Sequence, residues 1–203
     1  VVFVFLFCHA AQPRVHVAAT QVFGADELAG RGLQYGDGLF ETIAVMHGRP
    51  RHWMRHLHRL VEGCRRLELP VPDADQLQAE LQRVSGDHPQ RVVKILITRG
   101  TGSRGYRHPE PTSVTRIVQA YPWPGWPEAA WKQGVAVRWC QTRLARQPRL
   151  AGLKHLNRLE QILARAEWQD DYAEGLMCDS EGLVIEGTMS NLFLVTEGTL
   201  VTP

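Results

Sequence analysis

Lysine is the scarcest charged residue in this chain: three lysines stand against twenty arginines in 203 residues. Cysteine is sparse too, and its spacing pairs nothing. Cys8, Cys64, Cys140 and Cys178 lie far apart, so there is no C-x-x-C or zinc-finger pattern, and scattered thiols fit a reducing, cytoplasmic setting better than a disulfide scaffold. No apolar run is long enough to cross a bilayer, which takes about 20 residues. The most apolar stretch, VVFVFLFC at 1–8, reads as a strand or a non-native leader, because a signal peptide needs a charged segment ahead of its apolar core. An excess of one charge is missing as well. Lys+Arg 23 against Asp+Glu 21 leaves a net +2, with no concentrated basic stripe to suggest nucleic-acid binding.

What is present is an ordinary globular balance, 44% hydrophobic and 22% charged, on a chain long enough for two small domains with cores of their own. LFETIAVMH (39–47) reads as a strand followed by a turn at Gly48-Arg49-Pro50. Leu57, Leu60, Val61, Cys64 and Leu67 repeat at the spacing of an amphipathic helix over 54–68. Asp73 reads as the N-cap of a second helix running to about Ser85. VVKILIT (92–98) and SVTRIVQAY (113–121) are β-branched and predict strands. PWPGWP (122–127) suits neither a helix nor a central strand and predicts an interdomain linker between domains at 1–121 and 128–203. Beyond it, 134–141 predicts a strand, Leu156, Leu159, Ile162, Leu163 and Ala166 a helix starting near His155, and 175–187 and 191–203 two hairpins with turns at Asp179–Gly182 and Glu197-Gly198. The last residues, Leu200–Pro203, sit inside a strand pattern, so the second domain reads as cut short.

Two motifs fail on inspection. Gly100-Thr101-Gly102-Ser103-Arg104-Gly105 matches G-x-G-x-x-G, but a dinucleotide site needs a helix to begin there, and Pro109 and Pro111 follow instead. The segment predicts a flexible loop presenting Arg104 and Tyr106. His52, His56 and His58 have no acidic or cysteine companion nearby to complete the three or four ligands of a zinc site, so no metal is expected.

The rarity of lysine makes each one a question. Arginine cannot stand in for lysine where a neutral amine must attack a carbonyl, since the guanidinium stays protonated; a Schiff-base site demands lysine. Lys132 lies in a polar stretch, and Lys94 at a polar-facing position of a strand. Lys154 follows Ala151-Gly152-Leu153 just ahead of the predicted helix, where apolar neighbours would lower its pKa and activate it.

GLQYGDGLFET (32–42), HLHRL (56–60) and EGTMSNLF (186–193), with Leu200 and Thr202 beyond, together resemble the fold-type IV pyridoxal-phosphate enzymes. That family comprises the branched-chain aminotransferases, the D-amino-acid aminotransferases and the aminodeoxychorismate lyases. The likeness runs from Gly32 to Pro203. TRGTGSRGY (98–106) and RLAGLKHLNRLEQILAR (149–165) are most similar to the bacterial lyases, and Leu159 stands where branched-chain aminotransferases carry a tyrosine.

The resemblance implies an α/β (α+β) two-domain fold with an incomplete C-terminal, cofactor-binding domain, and pyridoxal 5′-phosphate as the cofactor. It implies that Lys154 forms the Schiff base and moves the proton, that Glu186 faces the pyridine nitrogen, that Arg59 binds the phosphate and that Asn191 shapes the cofactor pocket. Phe40, Arg104 and Tyr106 are then substrate-binding residues, with Arg158 a further positive charge for the substrate's carboxylates. The implied reaction converts 4-amino-4-deoxychorismate to 4-aminobenzoate and pyruvate, in a homodimer whose Arg104 reaches the partner's site. Three features depart from the family pattern. Gly30 replaces an acidic residue, 1–30 matches poorly, and the family's Gly-Ile-x-Arg phosphate loop and last substrate block would lie beyond Pro203.

Overall fold

The computed structural model describes residues 3–8 and 30–203, which form two compact units. The first comprises 30–123 together with Leu150–Asn157; the second comprises 3–8, 124–149 and 158–203. The chain leaves the first unit after Trp123, but the units are not contiguous stretches: β1 (Phe3–Cys8) belongs to the second, and Leu150–Asn157 returns to the first.

In the first unit α1 (Arg31–Tyr35) leads into β2 (Gly38–Met46), which forms an antiparallel sheet with β3 (Arg49–Pro50), β4 (Gln90–Thr98) and β5 (Thr115–Pro122), in the order β3-β2-β4-β5. Because side chains alternate along a strand, Leu39, Glu41, Ile43 and Val45 of β2 share one face with Val93, Ile95 and Ile97 of β4. That face is covered by α2 (Trp53–Arg66) and α3 (Ala74–Ser85), whose Leu60, Cys64, Leu77 and Leu81 complete the core. Burying each such aliphatic side chain contributes about 1.5–3 kcal/mol. Asp73 caps α3 as expected, accepting from the Gln76 backbone N–H at 2.7 Å, a bond worth about 0.5–2 kcal/mol. The β2–β3 turn falls at His47-Gly48, both with positive φ (49° and 71°), which displaces the turn expected at 48–50 and leaves Arg49 and Pro50 paired with Met46 and Val45.

The predicted helix near His155 begins later than expected. The Lys154 carbonyl accepts from the Phe40 N–H at 2.8 Å, and the Leu156 N–H donates to the Gly38 carbonyl at 3.0 Å. Residues 154–156 thus extend the edge of β2, with Leu39 bridged to His155. Backbone groups committed to a ladder cannot serve a helix, and α5 (Leu159–Arg165) starts only after Arg158.

In the second unit α4 (Glu128–Gln133) precedes β6 (Val137–Trp139), which runs parallel to β7 (Glu174–Cys178); β7 pairs antiparallel with β8 (Val184–Gly187). β7 is central and buried along its whole length, with Met177 packed among Cys140, Ala164 and Trp168. A second sheet has the order β1-β9-β10, with β9 spanning Ser190–Thr196 and β10 Thr199–Val201. Glu197 (φ 50°) and Gly198 (φ 76°) join them, the two left-handed positions that a tight hairpin demands. Among the described residues no helix is long and apolar enough to cross a membrane.

Candidate active site

Two adjacent residues of β2 organise two lysines, an arginine and a histidine. Phe40 points away from the helices. The Lys154 ammonium lies 4.7 Å from the centre of its ring and that of Lys94 lies 5.0 Å away, distances at which the ring's negative face attracts a cation. Lys94, expected at a polar-facing position, is half-buried there, and burial pulls its pKa below the ordinary lysine value. Glu41 points the opposite way, is 1% exposed, and takes Arg59 in a fork: Nε at 2.6 Å and Nη2 at 2.6 Å, with His56 Nδ1 at 2.7 Å. Burial alone would raise the Glu41 pKa, but the bonds from Arg59 and His56 outweigh it and hold the carboxyl below its usual range. The fork spends one edge of Arg59; its side chain remains 45% exposed, with N–H donors left for an anion such as a phosphate.

In the second unit Glu186 sits on β8, half-buried, with Oε1 accepting from Gln161 Nε2 of α5 at 3.0 Å. A carboxylate has about four lone-pair directions, so Glu186 retains capacity for a protonated ring nitrogen. Asn191 is the second residue of β9, exposed and opposite Phe7 of β1. Between Glu186 and Asn191 the chain bends at Thr188-Met189, and this short turn is fastened to the buried Glu174 of β7.

No helix follows the glycine-rich segment, in keeping with the rejected dinucleotide motif. The loop is tied to α1 by its backbone and by Tyr106. Arg31, 3% exposed, donates to the Gly105 carbonyl at 2.8 Å and the Tyr106 carbonyl at 3.3 Å, and the Tyr35 and Tyr106 rings meet edge to face at 5.4 Å. Arg31 and the buried Arg99 both hold Asp37, at 2.8 and 2.9 Å. Burial opposes the charge on Asp37, but the two guanidiniums win and lower its pKa. Arg104 and Tyr106 themselves point into solvent.

Glu41, Glu174, Arg31 and Gln161 were not among the residues picked out from the sequence. A signal for Glu41 existed: it is the one charge on the inward phase of LFETIAV. Glu174 had a fainter one, an acid opening an apolar strand, and Arg31 and Gln161 had none.

This scaffold is shared with known proteins. Residues 38–203 match the family model for aminotransferase class IV, and the chain belongs to that family. Aminodeoxychorismate lyase from Vibrio harveyi is 36% identical over 177 residues, covering 87% of this chain and 65% of that protein. The crystal structure of 4-amino-4-deoxychorismate lyase from Pseudomonas aeruginosa superposes with a TM-score of 0.79 at 49% identity, over all of this chain and 70% of that one. Branched-chain amino acid aminotransferase from Escherichia coli superposes with a TM-score of 0.75 at 26% identity, over 98% of this chain and 67% of that one. The chain therefore has the fold of these fold-type IV enzymes and spans 65% of the length of the Vibrio harveyi lyase.

Proposed function

We propose that this chain belongs to a pyridoxal-phosphate enzyme that eliminates pyruvate from 4-amino-4-deoxychorismate and releases 4-aminobenzoate. The observation that carries the reading is Lys154. It is one of three lysines, its backbone is fixed on the edge of β2, its amine is set against Phe40, and it lies within the stretch 149–165 that is most similar to the lyases.

The residues present fit the cofactor chemically: a lysine for its aldehyde, Arg59 with donors to spare for its phosphate, and the Glu186 carboxylate for its ring nitrogen. Asn191 is a further cofactor-binding residue in this reading. When bound, the cofactor supplies an electron sink for a substrate carbanion. Lys154 removes the proton from C4 of the substrate, acting as a positioned base. The enolpyruvyl C–O bond then breaks, the ring becomes aromatic, and the departing enol takes up a proton to become pyruvate. Glu186 keeps the ring nitrogen protonated. Phe40 bounds the space beside Lys154, and Arg104 and Tyr106 bind the substrate's carboxylates from a partner subunit in a homodimer; the exposure of Tyr106, at 82%, supports that assignment. The dimer is testable by sedimentation, where a fully active monomer would exclude it.

The alternative is amino-acid transamination on the same scaffold, favoured by the likeness to the branched-chain enzyme. One assay separates the two. The intact protein is given aminodeoxychorismate and followed for pyruvate and 4-aminobenzoate, then given D-alanine or L-leucine with 2-oxoglutarate. The expected result is 4-aminobenzoate with stoichiometric pyruvate; efficient transamination without 4-aminobenzoate reverses the assignment.

A further inference from the structure

Resting on the cofactor roles assigned to Glu186 and Asn191, we propose that Glu174 is a positioning residue: its carboxylate sets the shape of the 187–190 turn and so the direction in which Glu186 and Asn191 are presented to the cofactor.

Glu174 is 1% exposed. Its Oε1 accepts from the Gly175 N–H at 2.8 Å, the Thr188 N–H at 3.1 Å and the Thr188 hydroxyl; its Oε2 accepts from the Met189 N–H at 3.2 Å and the Ser190 hydroxyl at 2.7 Å. All five donors are neutral, and four of them come from 188–190. They saturate the lone pairs of a carboxylate, and only a carboxylate side chain offers two acceptor oxygens to so many donors. Gly187 is part of the same device. A Cβ built there would lie 2.2 Å from the Ser190 hydroxyl oxygen and 3.0 Å from the Glu174 carboxyl, so the turn closes onto the carboxylate only because residue 187 has no side chain. Glu186 itself is tied separately, by Gln161 of α5. The turn between the two cofactor residues therefore takes its shape from β7, through one side chain that touches neither cofactor nor substrate. Groups that bind a cofactor hold their geometry only when such outer contacts lock them.

Glu174→Gln tests this with almost no change in volume. The amide keeps Oε1 for Gly175 and Thr188 but turns an NH₂ toward the Met189 N–H, donor against donor, at the end of the turn that leads to Asn191. In the intact protein titrated with pyridoxal phosphate, the dissociation constant should rise about tenfold, as is typical when an outer hydrogen-bond partner of a ligand group is lost. The pH dependence of the bound cofactor's absorption band should shift as well, while borohydride still marks Lys154. Ser190→Ala and Thr188→Val each remove one donor and should move both readouts less, in the same direction; they carry the test if Glu174→Gln fails to fold. Glu167→Gln is the control for a merely architectural role. Glu167 also collects donors, from the N–H groups of Gln141 and Thr142, each at 2.8 Å, and its loss should lower the melting temperature without touching affinity or band. Wild-type affinity and an unchanged band in Glu174→Gln and Ser190→Ala together overturn the proposal. Failure of the unsubstituted protein to bind the cofactor at Lys154 is a different result: it overturns the cofactor reading itself, and this inference with it.

Discussion

Glu41 and Glu174 are both buried carboxylates, each 1% exposed, and they solve the same problem in opposite ways. A charge out of water must be hydrogen-bonded or paired. In the first unit Glu41 is met by side chains, the Arg59 fork and His56. In the second, Glu174 is met by backbone N–H groups and two hydroxyls. The first arrangement fixes the direction of one long side chain while the strand and helix beneath it are held by their own core. The second fixes the path of the backbone where a short turn has no core to hold it. A binding group on a helix needs aiming; a binding group on a turn needs the turn.

The largest effect is expected at the proposed Schiff-base lysine. Lys154→Ala should cut 4-aminobenzoate release by about 10²–10⁴-fold, the usual contribution of a positioned acid–base group, with thermal stability nearly intact because Lys154 is only half-buried. Borohydride reduction and peptide mapping of the unsubstituted protein should mark Lys154. A mark on Lys94, which shares the Phe40 ring, would move the assignment across that ring. Glu186→Gln should come next, lowering turnover on the order of 10²-fold through the lost electrostatic partner while the cofactor stays bound; near-normal turnover would remove Glu186 from the site.

Stability should follow the cores. Leu77 of α3 is fully buried in the first unit, and Leu77→Ala should cost about 2–5 kcal/mol in urea unfolding. Leu159 of α5 is 72% exposed, and the same truncation there should change stability by no more than about 0.5 kcal/mol. Equal costs at the two positions would mean that the α5 face is covered in solution.

The contrast between these two helices also marks how far the sequence could be read. Leu57, Leu60 and Cys64 form one stripe on α2, continued by Leu67 at its C-cap, and Asp73 is a cap with its partner three residues on; both features are local, and both were legible. The predicted extent of α5 drew equally on a periodic pattern, but 154–156 were claimed by the edge of β2, more than a hundred residues earlier in the chain. No local pattern announces that pairing. α1 and α4 are too short to display a period, at five and six residues. Lys154 stood out because arginine, used elsewhere, cannot form a Schiff base. Glu41, Glu174 and Arg31 are defined by partners distant in sequence, so the fold was needed to show what each one holds, even where an inward-facing charge hinted at burial.

The pH dependence tests the charge pairing. Glu41 ordinarily titrates near 4.5 and is held lower in the folded chain. A carboxylate depressed on folding contributes stability that is fully present above its unfolded pKa and is lost as pH falls through its folded pKa. Asp37, held down by Arg99 and Arg31, acts in the same sense. Unfolding free energy measured from pH 7 down to about pH 3 should therefore fall, and Glu41→Gln should reduce the slope, since the amide has no proton to gain. An unchanged slope would show that the Arg59 fork contributes no linkage.

The smallest effect is the most useful as a calibration. Lys132 and Glu128 of α4 form an i,i+4 pair at 2.7 Å, as close as the Glu41 contacts, but their side chains are 72% and 80% exposed. Water screens such a pair and competes for both partners, and ordering two long side chains offsets what attraction remains. Glu128→Gln should thus shift unfolding by no more than about 0.5 kcal/mol, and that small shift should vanish as salt is raised through the range where the Debye length shortens from about 10 Å to about 3 Å. The Glu41 fork, with its carboxylate shut away from solvent, should respond much less to the same salt series. If both pairs weaken in parallel, Glu41 is hydrated in solution, and the difference drawn between a carboxylate that aims an arginine and one on an open surface disappears.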